Sequence, residues 1–148
     1  MQKQTINQKD PEKEFILCKN VSGATLSAGA AVFFDTATAT DGFAVSGART
    51  SQKFMFAGIN DASLADGKKG LVQTYGIASA YVQWSGALTA GAQLDAVASQ
   101  TYLTTFTPVS ATSLAPTVDN PWNFVSVMSG AASGISTATL EVVFVRAR

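Results

Sequence analysis

The sequence contains no histidine in its 148 residues and only one cysteine, Cys18. Histidine is the most common general base and metal ligand in proteins, so its absence excludes serine triads of the usual kind and most zinc sites. A single cysteine excludes an intrachain disulfide, which fits a chain folded in a reducing cytoplasm. Because Cys18 lies in an apolar run, we expect a small core residue and not a nucleophile.

Charged side chains are also scarce, at 14% of the chain against about 25% in an ordinary soluble domain. Ten basic and ten acidic residues cancel, so no net field attracts phosphate, and we expect neither nucleic acid nor membrane as a partner. No apolar stretch approaches the roughly 20 residues of a membrane helix, and the polar N-terminus lacks the apolar core of a signal peptide. We expect a soluble chain, made in the cytoplasm, whose weakly charged surface is partly covered by partners.

Catalytic signatures are missing as well. The chain has no G-x-S-x-G elbow, no H-E-x-x-H motif and no Walker A loop. Most carboxylates adjoin Gly, Asn or Thr at predicted turns, where aspartate accepts hydrogen bonds from nearby backbone. Asn60, Asp61 and Asp66 do not match the spacing of an EF-hand loop. We therefore predict that the protein is not an enzyme and needs no cofactor or metal; a close carboxylate pair or a Ser–Lys dyad would reverse that prediction.

What the sequence does contain is a series of short β patterns separated by turn residues, with no sustained helical periodicity and no evident long repeat. The pattern predicts an all-β fold: residues 14–148 form one domain, a β-sandwich, a jelly roll or a small β-barrel, and residues 1–13 form an extended N-terminal arm. The predicted strands are Glu14–Asn20, Ala31–Asp35, Phe43–Val45, Phe54–Ile59, Leu71–Trp84, a short strand within Leu88–Ala98, Tyr102–Phe106, Phe124–Met128 and Thr137–Arg146.

Alternation along these strands also predicts the core. Both faces of Glu14–Asn20 are apolar and are expected to be covered, and Gly76 predicts a bulge, a bend or a split in the longest strand. In the last strand, Ala138, Leu140, Val142 and Phe144 are expected to form the buried face. The predicted core comprises Phe15, Leu17, Val32, Phe34, Phe56, Ile59, Val72, Ile77, Val82, Phe124, Val127, Leu140, Val142 and Phe144.

Two groups of residues are candidates for an interface. The aromatic group lies near strand ends in Thr- and Ser-rich contexts, and it either caps the core, contacts other subunits or stacks against sugars. The second group belongs to the arm, which is either a frayed terminus or a segment that orders on a neighbour. The candidate residues are Trp84, Tyr102, Phe106 and Trp122 in the aromatic group, and Gln2, Lys3, Ile6 and Pro11 in the arm.

Four segments, taken in order, resemble a known family. They are Lys19–Val32 (KNVSGATLSAGAAV), Phe56–Ile59 (FAGI), Gly70–Ala78 (GLVQTYGIA) and Ala90–Leu94 (AGAQL). Between Cys18 and Leu94 the chain resembles the capsid decoration, or cement, proteins of tailed bacteriophages. The resemblance implies a β domain on the outer surface of the virion that bridges subunits of the major capsid protein, and that self-associates as a homotrimer or, less favoured, a dimer. It also implies that the arm crosses onto a neighbouring subunit.

A second function remains open at this point, namely a head-fibre or tail-associated module that recognises carbohydrate on the host surface. Exposure of Trp84, Tyr102 and Trp122 on one concave surface would favour sugar recognition. Burial of these aromatic residues in a subunit interface would favour the capsid role.

Overall fold

The computed structural model describes residues 12–36, 43–47, 55–97, 100–105, 124–130 and 134–147. This part of the chain contains nine strands and no α-helix. It therefore holds no helix that is long and apolar enough to cross a membrane. The strands are β1 (Glu14–Asn20), β2 (Ala31–Phe34), β3 (Ala44–Ser46), β4 (Phe56–Asn60), β5 (Lys69–Trp84), β6 (Gln93–Ala96), β7 (Leu103–Thr105), β8 (Phe124–Val127) and β9 (Ile135–Arg146).

The first five strands close into a small barrel. Their order is β1-β3-β2-β4-β5, and β5 returns to pair with β1. The pairing of β1 with β3 is parallel and the other four pairings are antiparallel. The prediction of an all-β fold with a small barrel is therefore confirmed, whereas the sandwich and jelly-roll alternatives are not.

A second closed ring of pairings continues from the same long strand. It runs β5-β7-β6-β8-β9 and closes between β9 and β5, with β5–β7 parallel and the rest antiparallel. Replacing β1 to β5 by β5 to β9 reproduces every pairing of the first ring with its direction. The two rings are hereafter the N-terminal unit (β1 to β5) and the C-terminal unit (β5 to β9), and they share β5.

Backbone hydrogen bonds match between the two units at the level of single residues. The Gly29 amide donates to the Asn60 carbonyl at 2.8 Å, and the Gly91 amide donates to the Val127 carbonyl at 2.8 Å. Both glycines have positive φ, 81° and 83°, where a side chain is disfavoured. The chain therefore contains a structural repeat, although no long repeat is evident in its sequence.

The repeat is visible in the sequence only around these turns, where Ser22–Ala30 (SGATLSAGA) corresponds to Ser85–Ala92 (SGALTAGA) with one residue fewer. Elsewhere most equivalent strand positions differ in residue type. Turn chemistry preserves residue identity because a positive φ needs glycine, whereas a core position needs only apolar volume.

Two clusters of buried side chains make up the core. The smaller fills the N-terminal unit, and the larger joins the interior of the C-terminal unit to Ala31, Phe33, Phe56 and Ile59 from β2 and β4. Strands β2 and β4 are consequently covered on both faces, which explains their continuous apolar runs. The members of the smaller cluster are Cys18, Leu26, Val32, Val45, Ala57, Leu64 and Val72.

The core prediction is partly correct. Val32, Phe56, Ile59, Val72, Val82 and Val127 are buried; Phe34, Ile77 and Phe144 are half-buried; and the side chain of Phe124 lies outside the described part. Four predicted core residues are instead exposed: Phe15 (38%), Leu17 (55%), Leu140 (53%) and Val142 (44%). Because Phe15 and Leu17 lie on β1, its outward face is exposed in this structure, and the expectation that both faces of β1 would be covered is wrong.

The error in β9 has a clear cause. Residues 142–145 are apolar on both faces, so alternation cannot show which face points inward. The pairing with β5 determines which face is buried. Val143 lies opposite Ala78 and Val145 lies opposite Gly76, and both valines are fully buried.

Gly76 marks the point at which β5 changes partners. β5 pairs with β1 and β4 up to Tyr75, and with β7 and β9 from Tyr75 onward. The φ of 98° at Gly76 and its contact with the backbone of Glu12 leave no room for a side chain. The irregularity predicted here is thus a local distortion within one continuous strand of 16 residues.

Candidate interaction surface

The outward faces of the strand pairs β1–β5 and β5–β9 carry most of the exposed large apolar side chains of the described residues. Phe15, Leu17 and Leu71 lie on the first pair, and Leu140 and Val142 lie on the second. These strands alternate between a buried face and an outward face, so the exposed side chains are held on a rigid closed sheet. Exposed apolar area of this kind makes the surface a candidate for contact with another molecule.

On β1–β5 the exposed residues form matched pairs across the two strands. Leu17 lies directly opposite Leu71, and Lys19 lies directly opposite Lys69. Beside them a hollow of about 280 Å³ is bordered by Leu17, Lys19 and Lys69 and by Phe43, which is 58% exposed. This surface, formed by Leu17, Lys19, Phe43, Lys69 and Leu71, is hereafter the Leu17 face.

The repeat identifies the equivalent surface of the C-terminal unit. The Asp61 amide donates to the Leu71 carbonyl, and the Met128 amide donates to the Val142 carbonyl, so Leu71 and Val142 are equivalent. The other equivalent pairs follow from the strand register: Leu17 and Ser79, Lys19 and Tyr81, and Lys69 and Leu140.

This equivalent surface is occupied by a turn from the N-terminal unit. The Tyr81 amide donates to the Gly29 carbonyl at 2.9 Å. Gly29 lies so close to the strand pair that a Cβ on it would come within 2.6 Å of Leu140 Cδ2 and 3.1 Å of the Ser79 carbonyl. In the C-terminal unit, therefore, a backbone turn from outside the unit packs against the position that the Leu17 face leaves open.

A second depression, of about 340 Å³, lies next to this turn. Its lining mixes charged, amide and apolar side chains, including Lys13, Asp61, Gln73, Ile77, Ser79 and Leu140. The Gln73 side chain is only 3% exposed, and its amide donates to two carbonyls of its own strand, those of Tyr75 and Ile77. Its amide group therefore stabilises the irregular part of β5.

Asn60, at the edge of the same depression, is 1% exposed. Its amide nitrogen donates to the carbonyls of Leu26, Ser27 and Ala62 at 3.2, 2.9 and 2.6 Å. Among the described residues its Oδ1 has no hydrogen-bond partner. The donors of Asn60 thus hold the neighbouring turns in place.

The chemistry of Cys18 is that of a core residue, as predicted. The side chain is 1% exposed, and burial raises the pKa of the thiol to about 11. The group is therefore an uncharged thiol at neutral pH and a poor nucleophile. Across the described ranges no three His, Cys, Asp or Glu side chains lie close enough together to hold a metal ion.

Of the eight candidate interface residues, two fall within the described part of the chain. Trp84 is 4% exposed and packs in the larger core cluster, and Tyr102 is partly exposed just before β7. The other six lie outside the described residues: Gln2, Lys3, Ile6, Pro11, Phe106 and Trp122. Contact between these residues and a partner stays a prediction.

Sequence reasoning missed the Leu17 face, although a signal was present. The triplets Leu17-Cys18-Lys19 and Lys69-Gly70-Leu71 carry the same outer residues in reverse order. Antiparallel pairing of two such triplets places like side chains opposite each other, and their middle residues point inward.

Comparison with known proteins gives a likeness of fold. No protein-family model matches the chain, and no curated protein matches it in sequence. The structure is similar to the crystal structure of the head fiber gp8.5 N base in bacteriophage phi29, with a TM-score of 0.50 and 12% identity. The match covers 90% of this chain and 94% of that chain, so the two share a fold over nearly their whole length.

Proposed function

We propose that the chain is a structural protein of a phage virion that binds the outer surface of the capsid and stabilises it by bridging subunits of the major capsid protein. The observation that carries the proposal is the exposed apolar surface on a closed barrel, above all the Leu17 face. The resemblance of Lys19–Val32 and the later segments to cement proteins supports it. So does the likeness of fold to a head fiber base.

The physical properties of the chain suit this role. Closed rings of strands leave little open sheet edge, which limits aggregation when many copies are crowded together. A net charge of zero limits repulsion between neighbouring copies. Each contact can be weak, because repeated contacts across an assembly add avidity. Self-association, with a trimer favoured, and participation of residues 1–13 form part of the proposal.

Co-sedimentation of the purified chain with phage heads that lack decoration tests this function. The expected result is saturable binding in a fixed ratio to the major capsid protein, together with greater resistance of the heads to heat. Heads that already carry the protein serve as the control and should take up no more. Absence of binding to bare heads would contradict the proposal.

The alternative function is recognition of host-surface carbohydrate by a head-fibre module. One observation favours it, namely the mixed polar and apolar lining of the second depression, since sugars present both hydroxyl groups and an apolar ring face. A glycan array probed with the purified chain tests it. Asp61→Ala should then abolish any signal, whereas an array without signal would reject the alternative.

A further inference from the structure

We propose that the Leu17 face is the docking site for a protein other than this chain, and that the docked segment presents an apolar side chain next to a carboxylate. The inference rests on the proposed function, because it takes the partner to be a component of the phage head. Two separate observations carry it: the charge arrangement on the face and the comparison of the two units.

The first observation is electrostatic. Lys19 and Lys69 lie directly opposite each other across β1–β5, where like charges destabilise a strand pair. Within the described residues neither ammonium group has a hydrogen bond or an ion pair. A carboxylate placed between them by a partner would turn a repulsive pair into a charge-assisted bridge.

The apolar part of the face adjoins these lysines. Leu17 is 55% exposed, Leu71 is 47% exposed and Phe43 is 58% exposed, and all border or adjoin the same hollow. An apolar side chain inserted there would remove these groups from water, which favours association. The hollow and the lysine pair together therefore fit an apolar group flanked by an acid.

The second observation comes from the repeat. In the C-terminal unit, the position equivalent to this hollow receives the turn around Gly29, whose carbonyl accepts from the Tyr81 amide. In the N-terminal unit, the equivalent amide of Lys19 bonds to the carbonyl of Phe43, and no turn from the described residues covers the hollow. One copy of the unit therefore uses this surface to receive a chain segment, and in the other copy no described segment covers it.

Charge also argues against a second copy of the chain as the occupant. A symmetric dimer formed through the Leu17 face would bring two Lys19–Lys69 pairs, four positive charges, into one interface. Like charges brought together in this way oppose association. A partner with acidic side chains removes that cost.

The decisive variant is Lys19→Glu. It places opposite charges across the strand pair, so the expected effect on the free chain is a raised melting temperature, because a repulsive pair becomes attractive. The same change should weaken binding to bare heads by at least about tenfold, because the partner's carboxylate now meets an acid. Weaker binding with higher stability separates docking from folding.

A second variant, Leu17→Ser with Leu71→Ser, removes the apolar part and should also weaken binding by at least about tenfold. The matched control, Met128→Ser with Arg146→Glu, removes one exposed apolar group and reverses one exposed charge elsewhere, and should stay within about twofold of the original chain. Binding of the original chain should weaken between about 0.05 M and about 0.5 M NaCl, and this dependence should be smaller for Lys19→Gln with Lys69→Gln.

The measurement is co-sedimentation with bare heads, together with light scattering on each free variant. If the original chain binds and the face variants bind equally well, the docking site is overturned and the proposed function survives. If the original chain does not bind heads, both fail. If the face variants instead dissociate an oligomer of the free chain, a second copy occupies the face and the assigned partner is wrong.

Discussion

Two glycines of this chain, Gly58 and Gly67, both have a positive φ but differ in the space available for a side chain. Gly58 has a φ of 142°, and a Cβ there would collide with the backbone carbonyl of Gln73 on the adjacent strand. Gly67 also has a positive φ, 72°, but nothing lies within 4 Å of the place a Cβ would take. The first position combines backbone strain with a collision, and the second has backbone strain alone.

We therefore predict that Gly58→Ala lowers the free energy of unfolding by at least about 3 kcal/mol, because β4 and β5 must separate to admit the methyl group. The control Gly67→Ala should cost only about 1 kcal/mol. Urea denaturation followed by circular dichroism measures both. Equal losses would contradict the close approach of the two strands at Gly58.

The thiol of Cys18 gives a prediction that depends on pH. Burial raises its pKa from 9.0 to about 11, so the folded chain holds this proton more tightly than the unfolded chain does. Its contribution to stability is therefore complete below about pH 9 and is lost as the pH rises through about 11.

Alkylation by iodoacetamide should follow the same titration, with the rate in the folded chain at half its maximum near pH 11. In denaturant the midpoint should fall to about 9, and at pH 8 the reaction should be about a hundredfold faster than in the folded chain. A midpoint near pH 9 in the folded chain would show that the thiol is not buried.

At the scale of elements, the sequence was sufficient to predict every strand and its approximate bounds. Short strands between turn residues produce a strong local signal, and β1 was predicted with its observed limits, Glu14–Asn20. Which face points inward was predictable only where one face is polar. In β1 and β9 both faces carry apolar residues, so the answer depended on pairing with β5, which local sequence does not encode.

The repeated unit could not be predicted, for a related reason. Equivalent core positions differ in residue type, as with Cys18 and Ala80, because a core position requires apolar volume and not identity. The matching residues are concentrated in the turns. The docking surface was missed because its signal, two mirrored triplets 50 residues apart, becomes visible only when the strands are paired.

Because the two units share β5, we expect them to unfold together. Val72→Ala opens space in the smaller cluster, and Val143→Ala opens space at the equivalent position of the larger one. Each should lower the free energy of unfolding by about 2 kcal/mol. Tryptophan fluorescence includes the signal of Trp84 in the C-terminal unit, and far-ultraviolet circular dichroism reports on the strands of both units. In both variants the two signals should change in one common transition.

Separate transitions in Val72→Ala, with the fluorescence of Trp84 changing later than the circular dichroism signal, would contradict this coupling. The units would then be independent domains joined through a strand. A common transition would instead show that the two units, which share β5, fold as one cooperative unit.

For the whole molecule, the proposed role depends on rigid faces and on the segment before β1. Removing residues 1–11 leaves Glu12 in place against Gly76, so the melting temperature should stay within about 2 °C of the original. Binding to bare heads should weaken, because the resemblance to cement proteins assigns this segment to a neighbouring subunit. Unchanged binding would remove residues 1–11 from the interface and leave the Leu17 face as the contact.

Electron cryomicroscopy of bare phage heads saturated with the purified chain tests the central claim most directly. The account predicts density for the nine-stranded fold at regular positions on the outside of the head, with the Leu17 face turned toward the major capsid protein and a carboxylate near Lys19 and Lys69. Heads without added density would contradict the virion role. Density in which the Leu17 face points to solvent would contradict the docking assignment while preserving that role.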